Sequence, residues 1–231
     1  MGAERNARRE TSKRDELRPL PLSVSGKKLR AHGLRTRELI VEEARKVLLQ
    51  EGSLEFSLRT VARQAKISIS NLQYYFPTRA SLLRTLMEPI VVRYQTTLNK
   101  GGVDPKTART TLAAVVAQNC DDVRDPVVSA IWLHFASLAL TDPESARVLD
   151  SAYDRLLPDL SRLIRAANPA LSGKDSKVLA TLITASVEGL VFQMGAGHLL
   201  KGSLTGIDRQ VGDFVTLLVD NYRGSLRKGP E

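Results

Sequence analysis

The sequence predicts an all-α protein of about nine helices, and three observations predict it. From Leu34 almost to the C-terminus, apolar residues recur three and four positions apart with charges between them. Helix start signals precede the periodic stretches: Ser57, Ser68 and Ser172 as caps, and the pairs Asp125-Pro126 and Asp142-Pro143. No segment reads as a convincing strand.

Residues 1–32 carry Pro19, Pro21, Ser23, Ser25 and Gly26 without helical periodicity and read as a basic arm lacking regular structure. The first helix follows, with Ile40, Ala44, Val47 and Leu48 on one face and Gly52 as its stop. Ser57 caps "LRTVARQA", whose Leu58, Val61, Ala62 and Ala65 form an apolar stripe; after a break at Lys66 and Ile67, Ser68 caps "ISNLQYYF", which ends before Pro77. A longer helix starts near Thr78 and Arg79, with Pro89 expected to kink or restart it. Beyond the loop "NKGGVDPK" the pattern is helical throughout. The expected helices contain "TARTTLAAVVAQNCDDV", "VVSAIWLHFASLALT", "ESARVLDSAYDRLLPDLSRLIRAAN" with a bend at Pro158, "KDSKVLATLITASVEGLVFQMGAG" and "RQVGDFVTLLVDNYRGSLR".

Composition narrows the partners. With 231 residues, 42% hydrophobic and 26% charged, the chain suits one large soluble domain or two modest ones. No run approaches the roughly 18 continuous apolar residues of a membrane span. The charged start "MGAERNARRETSKRDELR" has no signal-peptide pattern, so the expected location is cytoplasmic, with no membrane partner. The single cysteine, Cys120, rules out an internal disulfide and a cysteine-based zinc cage and reads as a small apolar packing residue. Three histidines, one of them (His32) in the arm, supply no metal set or nucleophile pair, so no cofactor and no catalysis are expected. "GAG" at Gly195–Gly197 follows a helix, not a strand, and reads as a helix terminator and not a phosphate loop.

Net charge is +9, and residues 1–37 hold eleven Lys or Arg against four acids, so most of the excess sits at one end. That distribution suits a polyanion, because each neutralised phosphate releases counterions. Next to it, Ser57 to Phe76 is organised as a helix-turn-helix, in which the first helix braces a second that enters the DNA major groove. Ser68, Ile69, Ser70, Asn71, Gln73 and Tyr74 then face the bases or lie beside them, while Leu72 and Phe76 face the core. Asn and Gln suit adenine, and Ile69 a thymine methyl.

The run "RELIVEEARKVLLQEG...FSLRTVARQAKISISNLQYYFPTRASLL" resembles the TetR-family DNA-binding domain over about fifty residues in register. Arg37, Ile40, Ala44 and Gly52 match its first helix, Leu58, Val61, Ala62 and Ala65 its second, Ser68, Leu72 and Phe76 its recognition helix, and Arg79 and Leu82 the start of its fourth. The chain departs from the pattern at Lys66, where a turn glycine is usual, and at Ser70, Gln73 and Tyr75, which bears on the bases read and not on the fold. The resemblance implies a helix-turn-helix domain over residues 33–80 and a C-terminal effector-binding and dimerisation domain over 81–231. It also implies phosphate contacts from Tyr74, Tyr75, Thr78 and Arg79, the two tyrosines having packing as their alternative role. With the basic residues, the expected DNA-binding set becomes Lys27, Lys28, Arg30, Arg35, Arg37, Ser57, Ser68, Ile69, Ser70, Asn71, Gln73, Tyr74, Tyr75, Thr78 and Arg79. Short matches, "IWLHFASLALTDPE" and "EGLVFQM", are similar to the choline-responsive regulators of betaine synthesis.

A palindromic operator requires two reading heads, hence a homodimer on double-stranded DNA. The last two long helices are the expected interface, through Leu179, Leu182, Ile183, Leu190, Val211, Phe214, Val215, Leu218 and Tyr222, with ordinary core packing as the alternative. An effector pocket would draw on Trp132, Phe135, Tyr153, Phe192 and Gln193. Two readings stay open: a repressor released by a small-molecule effector of unknown identity, or a DNA-binding regulator controlled by abundance or a protein partner.

Overall fold

The computed structural model describes residues 31–100, 104–194 and 206–222. Residues 1–30 of the basic arm, with Lys27, Lys28 and Arg30, and the Gly195–Gly197 terminator lie outside the described residues, while Ala31 and His32, expected in the arm, open the first helix instead. Eleven helical segments and no strand occur among the described residues: α1 (Ala31–Gln50), α2 (Gly52–Glu55), α3 (Leu58–Gln64), α4 (Ile69–Tyr75), α5 (Arg79–Lys100), α6 (Pro105–Arg124), α7 (Pro126–Ala139), α8 (Pro143–Ala167), α9 (Gly173–Gly189), α10 (Val191–Met194) and α11 (Ile207–Asn221). α2 and α10 are single turns, which leaves the nine longer helices that the periodicity predicts. α5 and α8 run through Pro89 and Pro158 without interruption, so neither proline restarts its helix. The single long helix expected over residues 174–197 instead stops at Gly189, and Leu190 separates α9 from α10.

The described residues form two compact units. The first comprises residues 31–93 and 130–150. In it α1 buries Arg37, Ile40, Val41, Ala44, Val47 and Leu48, a three-and-four spacing that faces α3. Gly52 then takes φ +81°, a left-handed conformation that suits glycine; a Cβ there would stand 3.6 Å from His134 Cε1. From α7, Ile131, Phe135 and Leu138 enter the core of this unit.

α3 begins with the Ser57 hydroxyl accepting the Thr60 N–H at 3.1 Å, and ends in a paired C-terminal lock. Lys66 N–H donates to the Arg63 carbonyl at 3.2 Å and Ile67 N–H to that of Ala62 at 3.1 Å, the Schellman arrangement. Its geometry puts Lys66 at φ +54°, the single described non-glycine residue with positive φ. A side chain there costs about 1–2 kcal/mol relative to glycine. Lys66→Gly is therefore expected to raise stability by about 0.5–1 kcal/mol, after the greater unfolded-state entropy of glycine is deducted. A higher urea midpoint with an unchanged slope checks this; a lower midpoint contradicts it.

The second unit comprises residues 94–129 and 151–222. Its core takes Leu112, Val115, Val116 and Cys120 from α6, Leu160, Leu163 and Ile164 from α8, Leu179 and Ile183 from α9, and Val215 and Val219 from α11. Inside it the Ser161 and Ser176 hydroxyls satisfy one another at 2.9 Å, so α8 and α9 cross without a stranded polar group. α6 and α11 are antiparallel and are tied at both ends. Arg109 meets Asp220 at 2.6 Å, and Arg124 meets Asp208 at 2.9 Å.

Candidate nucleic-acid interface

The helix α4 is short, and its position is set from both ends. Ser68 caps it, its hydroxyl accepting the Asn71 N–H at 3.1 Å and lying 3.0 Å from that of Ser70. At the other end the Phe76 N–H closes on the Leu72 carbonyl at 2.9 Å. Leu72 and Phe76, four apart, are both 0% exposed and pin one face. The opposite face is left in solvent: Ile69, Ser70, Asn71, Gln73 and Tyr74 are all exposed, Tyr74 to 68%, with Tyr75 partly buried and edge-on to its ring. An exposed row of amide and hydroxyl groups on a rigidly seated helix is what base-edge recognition requires.

Next in sequence, Thr78 and Ser81 cap α5 reciprocally. Ser81 N–H donates to the Thr78 hydroxyl at 3.1 Å and Thr78 N–H to the Ser81 hydroxyl at 3.3 Å. Thr78 is exposed, and Arg79 stands on the first turn, where backbone N–H groups and the helix dipole favour an anion. Ser57 is partly buried and bonded within its own helix start, and Arg35 is exposed on α1.

Arg37 has a different place from the one expected of a DNA contact. It is 7% exposed, its guanidinium carbon 5.2 Å from the centre of the Phe76 ring, and burial lowers its pKa. It is a brace beneath the recognition helix. The sequence signal was its spacing, three residues before Ile40 and four before Val41 on the face that α1 buries.

The residues chosen for an effector divide between the units. Trp132 is partly buried and Phe135 is 1% exposed in the first. In the second, Phe192 is 66% exposed and Gln193 is exposed as well, so neither lines an interior. Tyr153 is partly buried, and its hydroxyl lies 2.9 Å from both oxygens of Glu188. Sequence reasoning missed Glu188, a lone acid within "TLITASVEGLVF". Burial pushes its carboxyl up to about 7, against the opposing Tyr153 hydrogen bond, and among the described residues no basic side chain pairs with it. Burial raises the Tyr153 phenol too, assisted by the Glu188 charge, and takes Tyr94, which bonds Asn119, up to about 12. Glu188 is thus a carboxyl in a partly dry setting beside Tyr153, with no cation paired to it among the described residues.

Of the expected interface residues, Leu179, Ile183 and Val215 are within the core of their own unit at 0–3% exposure, and Leu190, Val211, Leu218 and Tyr222 pack against that core. Leu182 and Phe214 are outside, at 46% and 47%. Val178 and Leu217, at 39% and 62%, extend the same faces of α9 and α11 and were not foreseen.

Comparison with known proteins finds related regulators. A sequence family described as the BetI-type transcriptional repressor, C-terminal, matches residues 95–205. The HTH-type transcriptional regulator BetI of Stenotrophomonas maltophilia is 28% identical over 178 residues, covering 74% of this chain and 82% of that protein. Among solved structures, Salmonella enterica GusR aligns with a TM-score of 0.65 at 18% identity over 84% of this chain and all of the other. A transcriptional regulator from Saccharomonospora viridis, solved in complex with choline, aligns with a TM-score of 0.57 at 18% identity over 81% and 96%. Fold and relatives together define a transcriptional regulator of the helix-turn-helix class. Within that class the chain is similar to the BetI-type regulators of the TetR family, through residues 95–205 and the relatives just given. No described helix is long and apolar enough to cross a membrane.

Proposed function

We propose that the chain is a homodimeric repressor that reads a palindromic operator with α4 and leaves it when a small organic cation binds the second unit. The observation that carries the first part is the outward row of Ser70, Asn71, Gln73 and Tyr74 on a helix fixed by Leu72 and Phe76. Selection of bound sequences from a random duplex pool at near-physiological salt tests it. Recovery of a palindrome with half-sites roughly 34 Å apart, or a multiple of that, supports the reading; recovery of no preferred sequence overturns it. Two apolar surface pairs, Val178 with Leu182 and Phe214 with Leu217, support a dimer through α9 and α11, which pack on one another within the subunit.

The effector reading rests on Glu188. A carboxylate held in a partly dry site favours whatever supplies a positive charge, and a neighbouring aromatic residue, here Tyr153, suits an alkylated ammonium. The choline-bound Saccharomonospora viridis protein makes choline the natural first probe. Release from DNA follows if the bound form disfavours the operator-binding arrangement, a population shift set by differential affinity.

The titration of Glu188 gives a check independent of DNA. Its folded-state value of about 7 lies above the ordinary 4.5, so the protonated form is the one folding favours. Its contribution is complete below pH 4.5 and is lost as pH rises through 7. Between pH 5 and 8 the protein is expected to lose about 2 kcal/mol that Glu188→Gln retains, a figure discounted for partial solvation. Urea midpoints at the two pH values test this, and parallel pH profiles for the two proteins would contradict it. Choline should stabilise the parent more at pH 8 than at pH 5 and leave Glu188→Gln unaffected.

A further inference from the structure

Arg79 is engaged in the absence of DNA. One terminal nitrogen of its guanidinium lies 3.0 Å from Asp142 Oδ1, and the two side chains are only 33% and 25% exposed. Asp142 stands at the corner between α7 and α8 in the same compact unit as the recognition helix. Its carboxylate is divided between two tasks. Oδ2 caps α8, taking the Ser145 N–H at 2.8 Å and the buried Ser145 hydroxyl, while Oδ1 is turned to the arginine. The Ser145 bonds, with the Arg79 charge added, lower the pKa of the acid, so it is ionised whenever the protein is folded near neutral pH.

We infer that Asp142 is an intramolecular competitor for the DNA phosphate, occupying Arg79 in the free protein and surrendering it on the duplex. This rests on the reading of Thr78 and Arg79 as a phosphate site. An oxygen anion 3.0 Å from the guanidinium takes the place a phosphate oxygen would take, and one guanidinium nitrogen cannot serve both at full strength. Binding therefore exchanges one ion pair for another, and the net gain from Arg79 is smaller than for a free arginine. The position of the α7–α8 corner, through Asp142, then sets how readily Arg79 is released. DNA affinity acquires a control point away from the bases.

The test compares binding of a short mixed-sequence duplex by the full chain and its variants at fixed salt, since a phosphate contact needs no operator. Asp142→Asn keeps a good helix cap and removes the charge. It is expected to bind roughly two- to fivefold tighter, the range of a partly exposed ion pair. Asp142→Ser, a second neutral cap, should do the same. Arg79→Gln should weaken binding more in the Asp142→Asn background than in the parent. Glu144→Gln, which removes an acid two residues away that has no contact with Arg79, should leave affinity within the error of the parent. Binding by Asp142→Asn and Asp142→Ser no tighter than the parent overturns the inference, as does an equal gain from Glu144→Gln or an equal cost of Arg79→Gln in both backgrounds. A parent that binds no duplex at all overturns the DNA reading itself, a result distinct from any of these.

Discussion

The pair of substitutions Leu182→Glu and Phe214→Glu is expected to produce a folded monomer whose affinity for the selected palindrome is lower by roughly a thousandfold. Both side chains are on the surface of their own subunit, so the core of the second unit, built on Leu179, Ile183 and Val215, is untouched. In a two-fold interface each residue counts twice, and each large apolar side chain withdrawn from water contributes about 1.5–3 kcal/mol. Four carboxylates brought together there replace that gain with repulsion and desolvation. Loss of the dimer separates the two reading heads and with them the effective-concentration advantage of the second, commonly a factor of about 100–10,000. Light scattering and operator titration give the two readouts, and a dimer that survives the substitutions would place the interface elsewhere.

Phe76→Ala is expected to remove about 3–5 kcal/mol from the first unit, enough to unfold or loosen most domains of this size. The ring is 0% exposed, it terminates α4, and it carries the Arg37 guanidinium 5.2 Å from its centre. Truncation leaves a cavity and also a desolvated charge without its aromatic partner. Chemical denaturation should show the early loss of a helical transition together with loss of DNA binding. A midpoint within error of the parent would mean that α4 is held by contacts other than this ring.

Much of the first unit was legible because its signals are local. Ser57 and Ser68 are caps in fact as in pattern, Val61, Ala62, Ala65, Leu72 and Phe76 are inside, and Lys66 adopts the left-handed conformation that a turn glycine ordinarily takes. Interface and core were harder to separate, for a geometric reason. Val178 and Leu179 are adjacent, so about 100° of helix rotation parts them. A helix apolar on two sides gives no sequence indication of which side is covered by its own chain. Arg37 and Glu188 were misjudged or missed because a charged residue type is ordinarily a solvated one, and the exceptions are set by tertiary neighbours: Phe76 for the first, Tyr153 for the second. The division of the chain into units was hidden for a similar reason, since residues 130–150 are grouped with residues 31–93 across a long stretch of intervening sequence.

Cys120 is the one thiol in the chain, and it is 0% exposed among the residues that hold the second unit together, its pKa raised by that burial. A reagent in the surrounding water reaches it only when that unit opens. The sulfur is thus a built-in clock for opening: its labelling rate measures the free energy of that excursion from inside the native population. Any molecule that binds the closed form slows the clock in proportion to its occupancy, so effectors can be ranked without an operator in hand.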